Sequence, residues 1–228
     1  MPFFYDSTMI ILLPALIISM YAQFKVNSAF QRYSKVFSKR GVTGAEIARM
    51  LLDEAGLYDI PVELVSGKLT DHYDPTRRVM RLSNEVYYGN SVASIGVAAH
   101  ETGHAIQHKE SYSPLIIRNK IVPVVNISSS ASWFLFFIGL VFSIPSLTSL
   151  GIILFSAAVI FQIITLPVEF NASARAIRIL DTRGILDKEE LYGAKKVLKA
   201  AALTYVVAAL TAISQLLRLI ALSNRNND

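Results

Sequence analysis

The sequence predicts a mainly α membrane protein, with about four transmembrane helices and a small cytoplasmic α+β unit. Three observations predict it. Of the 228 residues 53% are hydrophobic and mean hydropathy is +0.43, too apolar for an ordinary soluble domain. The apolar residues gather into four runs of roughly 20, the length that crosses a bilayer. Between the first two runs the pattern instead changes period several times, as a folded α+β segment does.

The first run, Phe3 to Ala22, carries only Asp6 as a charge. No Lys or Arg precedes it and no small-residue cleavage site follows, so residues 1–22 read as an uncleaved anchor. A cytoplasmic segment, 23–118, comes next and opens with Lys25, Arg32, Lys35, Lys39 and Arg40. Thr43-Gly44-Ala45-Glu46 is a capping box, and its helix is expected to bury Ile47, Met50, Leu51 and Leu57, with Gly56 ending it. Pro61–Val65, Leu69–Tyr73 and Arg78–Leu82 read as short strands separated by turn residues, the last alternating charged and apolar residues as a half-solvated strand does. A small antiparallel sheet is expected, which reads either as a scaffold or as an edge strand able to hold an extended peptide. Asn90 or Ser91 caps a helix running to about Lys109, and Ser111–Pro114 breaks the chain.

Residues 119–168 read as a transmembrane hairpin, with spans at Ile121–Phe142 and Leu150–Val168 and an uncharged turn at Ile144–Thr148. Asn126, Ser128, Ser129 and Ser130 make the first span polar, either along a wet cavity or at a helix contact. Residues 169–197 form a second cytoplasmic helix, and 198–228 hold the last span, Leu198–Ile220, with Arg218 snorkelling at its end. Thirteen Lys and Arg lie in 22–120 and seven in 169–199, against none in 144–149 and only Arg225 in the tail. Positive charge stays inside, so both charged segments are expected in the cytoplasm. The basic residues flank apolar runs without interleaved aromatics, which points to a lipid bilayer and not to nucleic acid.

The chemistry concentrates at Ala98-Ala99-His100-Glu101-Thr102-Gly103-His104-Ala105-Ile106-Gln107-His108. On a helix, residues four apart stack on one face, so His100 and His104 can grip one metal ion. Glu101 follows the first of them, where its carboxylate can take a proton from an activated water. This is the H-E-x-x-H pattern, with zinc the usual metal and the Glu as general base. The chain has no cysteine, so a zinc ion must be held by His and carboxylate. His108 shares the face but lies two turns from His100, about 12 Å along the axis. It is therefore expected outside the ligand set. The pattern with a third histidine also fails, since Gln107 and Glu110 stand where Gly and His would be.

The third ligand must come from elsewhere. Glu169 is the first carboxylate after the hairpin returns to the cytoplasmic face. Ala172, Ser173 and Ala176 share its helical face and would let that helix approach the equally small Ala98–Ala105 stretch. One Zn2+ per chain in a His2Glu site is the expected cofactor. Asp181, Asp187, Glu189 and Glu190 are rivals in a more solvated segment.

Three motifs carry a family resemblance: Leu69-Thr70-Asp71-His72-Tyr73-Asp74-Pro75, Val97 to Gln107, and Pro167-Val168-Glu169-Phe170-Asn171-Ala172-Ser173. With the span pattern, the sequence resembles the YugP-like family of bacterial membrane proteins, neutral zinc metallopeptidases, over nearly its whole length. The resemblance implies a multi-pass, zincin-like plasma-membrane endopeptidase acting on peptide or protein substrates, with His100 and His104 as ligands and Glu101 as catalyst. A more distant likeness is to HtpX- and Ste24-type membrane zinc proteases, which also place a zinc-binding Glu on a later helix. There an acidic residue often follows that Glu, whereas Asn171 stands nearby here. His72, beside Asp71 and Asp74, reads either as a substrate or oxyanion contact or as a turn capping its own backbone. Arg175 reads as an ordinary basic flank or a partner for substrate carboxylate or lipid phosphate. Two rival functions remain: a site-2-type intramembrane protease, and a non-catalytic adaptor with a structural zinc.

Overall fold

The computed structural model describes residues 7–227, and the side chains as far as residue 225. The chain divides into two compact units. One comprises residues 1–23, 117–166 and 204–228, the other 24–116 and 167–203. A short 3-10 helix, Ser7–Ile11, precedes α1 (Leu13–Tyr33), α2 (Gly44–Glu54), β1 (Val62–Val65), β2 (His72–Asp74) and β3 (Val79–Ser83). Then come α3 (Asn84–Tyr87), α4 (Val92–Lys109), α5 (Ser113–Val141), α6 (Pro145–Thr182) and α7 (Lys188–Asn227).

Three helices among the described residues are long and apolar enough to cross a membrane: α5, α6 and α7. The expected first span is not clearly a fourth. Its residues 3–6 lie outside the described part, and α1 runs on through the polar Gln23, Lys25, Asn27, Gln31 and Arg32. The helices are also longer than the apolar runs. Ser113-Pro114 opens α5 well ahead of Ile121, because proline is tolerated in a first turn. The Ile144–Thr148 turn shrinks to residues 142–144, with Ser143 at φ 53°, since Pro145 already starts α6.

In the first unit the hairpin of α5 and α6 is tight. A Cβ on Gly151 would lie 2.8 Å from the Ser132 carbonyl oxygen, and one on Gly139 would run into the Thr148 backbone nitrogen. The serine hydroxyls of α5 turn back on their own helix: Ser128 and Ser129 donate to the Val125 carbonyl, Ser130 to Asn126 and Ser132 to Ser129. Their polarity is satisfied within the helix, and the close contacts at Gly139 and Gly151 favour a helix-contact role. Phe136, Phe155, Val159 and Leu219 form the core there. Arg218 donates to the Thr8 hydroxyl at 3.4 Å.

In the second unit α2 opens on the capping box, with Glu46 N–H to Thr43 Oγ1 at 3.2 Å and Thr43 N–H to Glu46 Oε2 at 2.7 Å. Gly56, at φ 67°, follows its end. Ile47, Leu51 and Leu57 are buried, while Met50 is only half-buried. The sheet has the order β1-β3-β2 and is mixed, not antiparallel. β1 pairs with β3 in parallel, Val62 opposite Met80, and β2 pairs antiparallel with β3, Tyr73 opposite Met80. The central strand is the most buried one: Val79, Met80 and Leu82 are all buried, where alternation suggested a half-solvated strand. The second strand is shorter than expected: Leu69, at φ 54°, lies in the bend that precedes it and not in the strand.

Candidate metal centre

Helix α4 brings the two histidines together. Ser91 caps it, accepting from the Ser94 N–H at 3.1 Å, and the apolar Ala98, Ala99 and Ala105 pack inward. The rings of His100 and His104 lie edge to face, centroids 4.7 Å apart. Glu169 comes from α6. The Nε2 atoms of both histidines are 3.4 Å from its Oε2, and each residue offers one donor atom within 4.8 Å of the others. Among the described residues this is the one group of three or more such side chains that could hold a metal ion.

Glycine makes that approach possible. A Cβ on Gly103 would lie 2.7 Å from the Ala172 carbonyl oxygen and 3.2 Å from its Cα, so the two backbones touch between the ligands. The small-residue face beside Glu169 (Ala172 and Ala176, both buried) therefore meets the small face of α4, as its composition predicts.

The remaining nitrogens of the two rings are already engaged. His100 Nδ1 is 3.1 Å from Ser173 Oγ, and His104 Nδ1 is 3.0 Å from Gln107 Oε1. Both Nε2 atoms are thereby left to face the carboxylate, and a His2Glu donor set of this kind fits a zinc ion. Burial draws the His104 pKa down, but the hydrogen bond to Glu169 and the charges of Glu101 and Glu169 outweigh it and raise the value. Glu101 is buried, and its Oε2 accepts the Tyr73 backbone N–H of strand β2 at 3.0 Å. The sheet's edge strand thus runs beside the motif helix.

The other candidates lie around this centre. His108 is half-buried, and its Nδ1 is 2.8 Å from the Tyr73 hydroxyl; burial lowers its pKa. His72 is exposed, with Nδ1 2.7 Å from the Thr70 carbonyl. Asp74 accepts the Thr76 and Arg77 N–H groups at 2.9 and 3.0 Å and pairs with Arg81. The Arg77 and Thr76 amides and the Arg81 charge hold its carboxyl below the usual range. Both residues thus make turn contacts with their own segment. Asp71 accepts from Ser83 N–H and Oγ, and burial pushes its pKa up. Asn171 accepts from Gln107 and from Arg175, and Arg175 also pairs with Glu110 at 2.7 Å. Asp181, the nearest rival carboxylate along α6, is exposed.

Three contributors went unread in the sequence: Tyr73, Gln107 and Ser173. Ser173 had a legible signal, four residues after Glu169 on the same face, and Gln107 stands one turn beyond His104. The Tyr73 contact uses a backbone amide, which no side-chain pattern encodes.

No solved structure shows a match. Over 214 residues the chain is 57% identical to "Putative membrane protease YugP" of Bacillus subtilis, covering 94% of this chain and 95% of that one. The two histidines, Glu101 and Glu169 make a zinc-metallopeptidase-like active site. The model of the family described as "Putative neutral zinc metallopeptidase" matches residues 8–224, and the chain belongs to that family.

Proposed function

We propose that the chain hydrolyses peptide bonds at the cytoplasmic face of the bacterial plasma membrane, with His100, His104 and Glu169 holding one Zn2+ and Glu101 as general base. The convergence of three donor atoms within 4.8 Å, with Glu169 buried and His100 half-buried, carries this reading. Zinc, when bound, supplies Lewis acidity and an acidified water. Glu101 adjoins the first ligand, and Tyr73 N–H holds its carboxylate at 3.0 Å, so it is placed to take a proton and pass it to the leaving amine. Strand β2 is an edge strand of the sheet beside the motif helix, and an extended substrate could add to it at main-chain groups other than the Tyr73 N–H, which Glu101 takes.

The excess of Lys and Arg in 22–120 and 169–199 supports cytoplasmic placement, with the anchor at 1–22 as a fourth span and 23–118 and 169–197 as the catalytic segments. An intramembrane protease is less well supported, because α4 is not among the apolar helices long enough to span. A structural-zinc adaptor is less well supported, because structural zinc is ordinarily closed by four protein ligands and three donors converge here among the described residues.

Metal analysis of purified variants tests the ligand set. Glu169→Ala and His104→Ala lose bound zinc, whereas His108→Ala and Asp181→Ala keep it. Stoichiometric zinc in Glu169→Ala together with its loss in Asp181→Ala would overturn the assignment.

A further inference from the structure

We propose that Gln107 is a positioning residue that fixes the tautomer of His104 and ties it to the segment carrying Glu169, thereby setting the metal affinity of the site. The inference rests on the ligand assignment above. Gln107 is fully buried, and its amide makes three hydrogen bonds: Nε2 donates to the Val168 carbonyl at 2.8 Å and to Asn171 Oδ1 at 2.9 Å, and Oε1 accepts from His104 Nδ1 at 3.0 Å.

The direction of these bonds is forced from the outside inward. Arg175 is an obligate donor, and its Nε donates to Asn171 at 2.7 Å, so the atom of Asn171 that receives it is the oxygen. That same oxygen faces Gln107, which must present its NH2 group there. The Val168 carbonyl, an obligate acceptor, makes the same demand. The Gln107 oxygen then faces His104, whose Nδ1 must carry the proton. Its Nε2 is left facing Glu169, where a bound metal ion would take the nitrogen's lone pair in place of a proton. Glu110 anchors the outer end of this relay through Arg175.

Only a side chain with one acceptor and two donors satisfies all three neighbours. Glutamate would keep the acceptor for His104 but turn a second oxygen on the Val168 carbonyl and Asn171 Oδ1. A carboxylate behind a metal-binding histidine ordinarily strengthens binding by making the ring more basic. At this position that gain is opposed by two acceptors facing a buried anion.

The test is competitive Zn2+ titration of the metal-stripped full chain in detergent, with the visible spectrum of the Co2+-substituted protein as a second readout. Gln107→Met keeps the bulk and removes the bonds. It is expected to weaken Zn2+ binding about 10–100-fold and alter the Co2+ spectrum, while the metal-free protein folds but melts below wild type because the buried bonds are lost. Gln107→Glu is expected to weaken binding, not tighten it. Asn171→Leu removes the anchor without touching His104 and should weaken binding in the same direction, which decides the matter if Gln107→Met does not fold. Wild-type affinity in Gln107→Met or, failing that, in Asn171→Leu overturns the proposal, as does tighter binding in Gln107→Glu. His104→Ala separates the two levels. If it binds Zn2+ like wild type, the ligand assignment fails; if it loses Zn2+ while Gln107→Met does not, only the role of Gln107 fails.

Discussion

The backbone N–H of Tyr73 donates to Glu101 Oε2 at 3.0 Å, so the edge of the sheet holds the carboxylate that follows the first histidine. This bond makes two substitutions at one position unequal. In Glu101→Gln a carbonyl oxygen can still accept the Tyr73 amide. In Glu101→Ala the buried amide is left without a protein acceptor, which costs about 1–3 kcal/mol. Thermal melts of the two proteins in detergent should place Glu101→Ala below Glu101→Gln. Equal melting temperatures would mean that the contact contributes nothing to stability.

Gly103 sets the distance between α4 and α6. A methyl group there would meet the Ala172 backbone at 2.7 Å, and a backbone cannot swing aside as a flexible side chain does. Gly103→Ala should destabilise the protein by about 1–3 kcal/mol and reduce bound zinc, because it pushes Glu169 away from the histidines. Denaturant unfolding and metal content check both effects.

Removing the metal should expose the stability that it supplies. Binding to the folded state alone adds RT ln(1 + [L]/Kd), about 2.7 kcal/mol when the free ion exceeds Kd a hundredfold. A chelator should therefore lower the melting temperature of the wild type and leave that of His104→Ala unchanged. The comparison is a pair of scanning melts, each with and without chelator.

Sidedness is open to direct labelling, since the chain has no cysteine. A Cys at exposed Ser146 should react with an impermeant thiol reagent added outside intact cells, and one at exposed Lys188 should not. The reverse pattern would place the site on the outer face.

Much of this was legible in the sequence, for physical reasons that differ from residue to residue. Spacing alone puts His100 and His104 on one face, and small residues on matching faces give the Gly103–Ala172 contact. Thr43 and Glu46 announced α2 because a capping box is a local device. Long-range pairing was less legible. Alternation in Arg78–Leu82 suggested a half-solvated strand in an antiparallel sheet, yet β3 takes the centre and pairs in parallel with β1. Strand order depends on which faces α2 and α4 cover, and no local pattern records that. Helix lengths erred for a similar reason: hydropathy marks where a segment is apolar, while the backbone ladder of α6 continues past Pro167 through Glu169 to Thr182. The hydrogen bonds of Gln107 join residues 61 and 64 apart, which only the folded chain brings together.

The most direct test is turnover of an unfolded protein substrate by zinc-loaded wild type and zinc-loaded Glu101→Gln, with metal content measured on the same samples. Equal zinc, with hydrolysis reduced at least 10²–10⁴-fold in Glu101→Gln, is the predicted result. Wild-type turnover by a fully zinc-loaded Glu101→Gln protein would contradict a hydrolase in which Glu101 moves the proton.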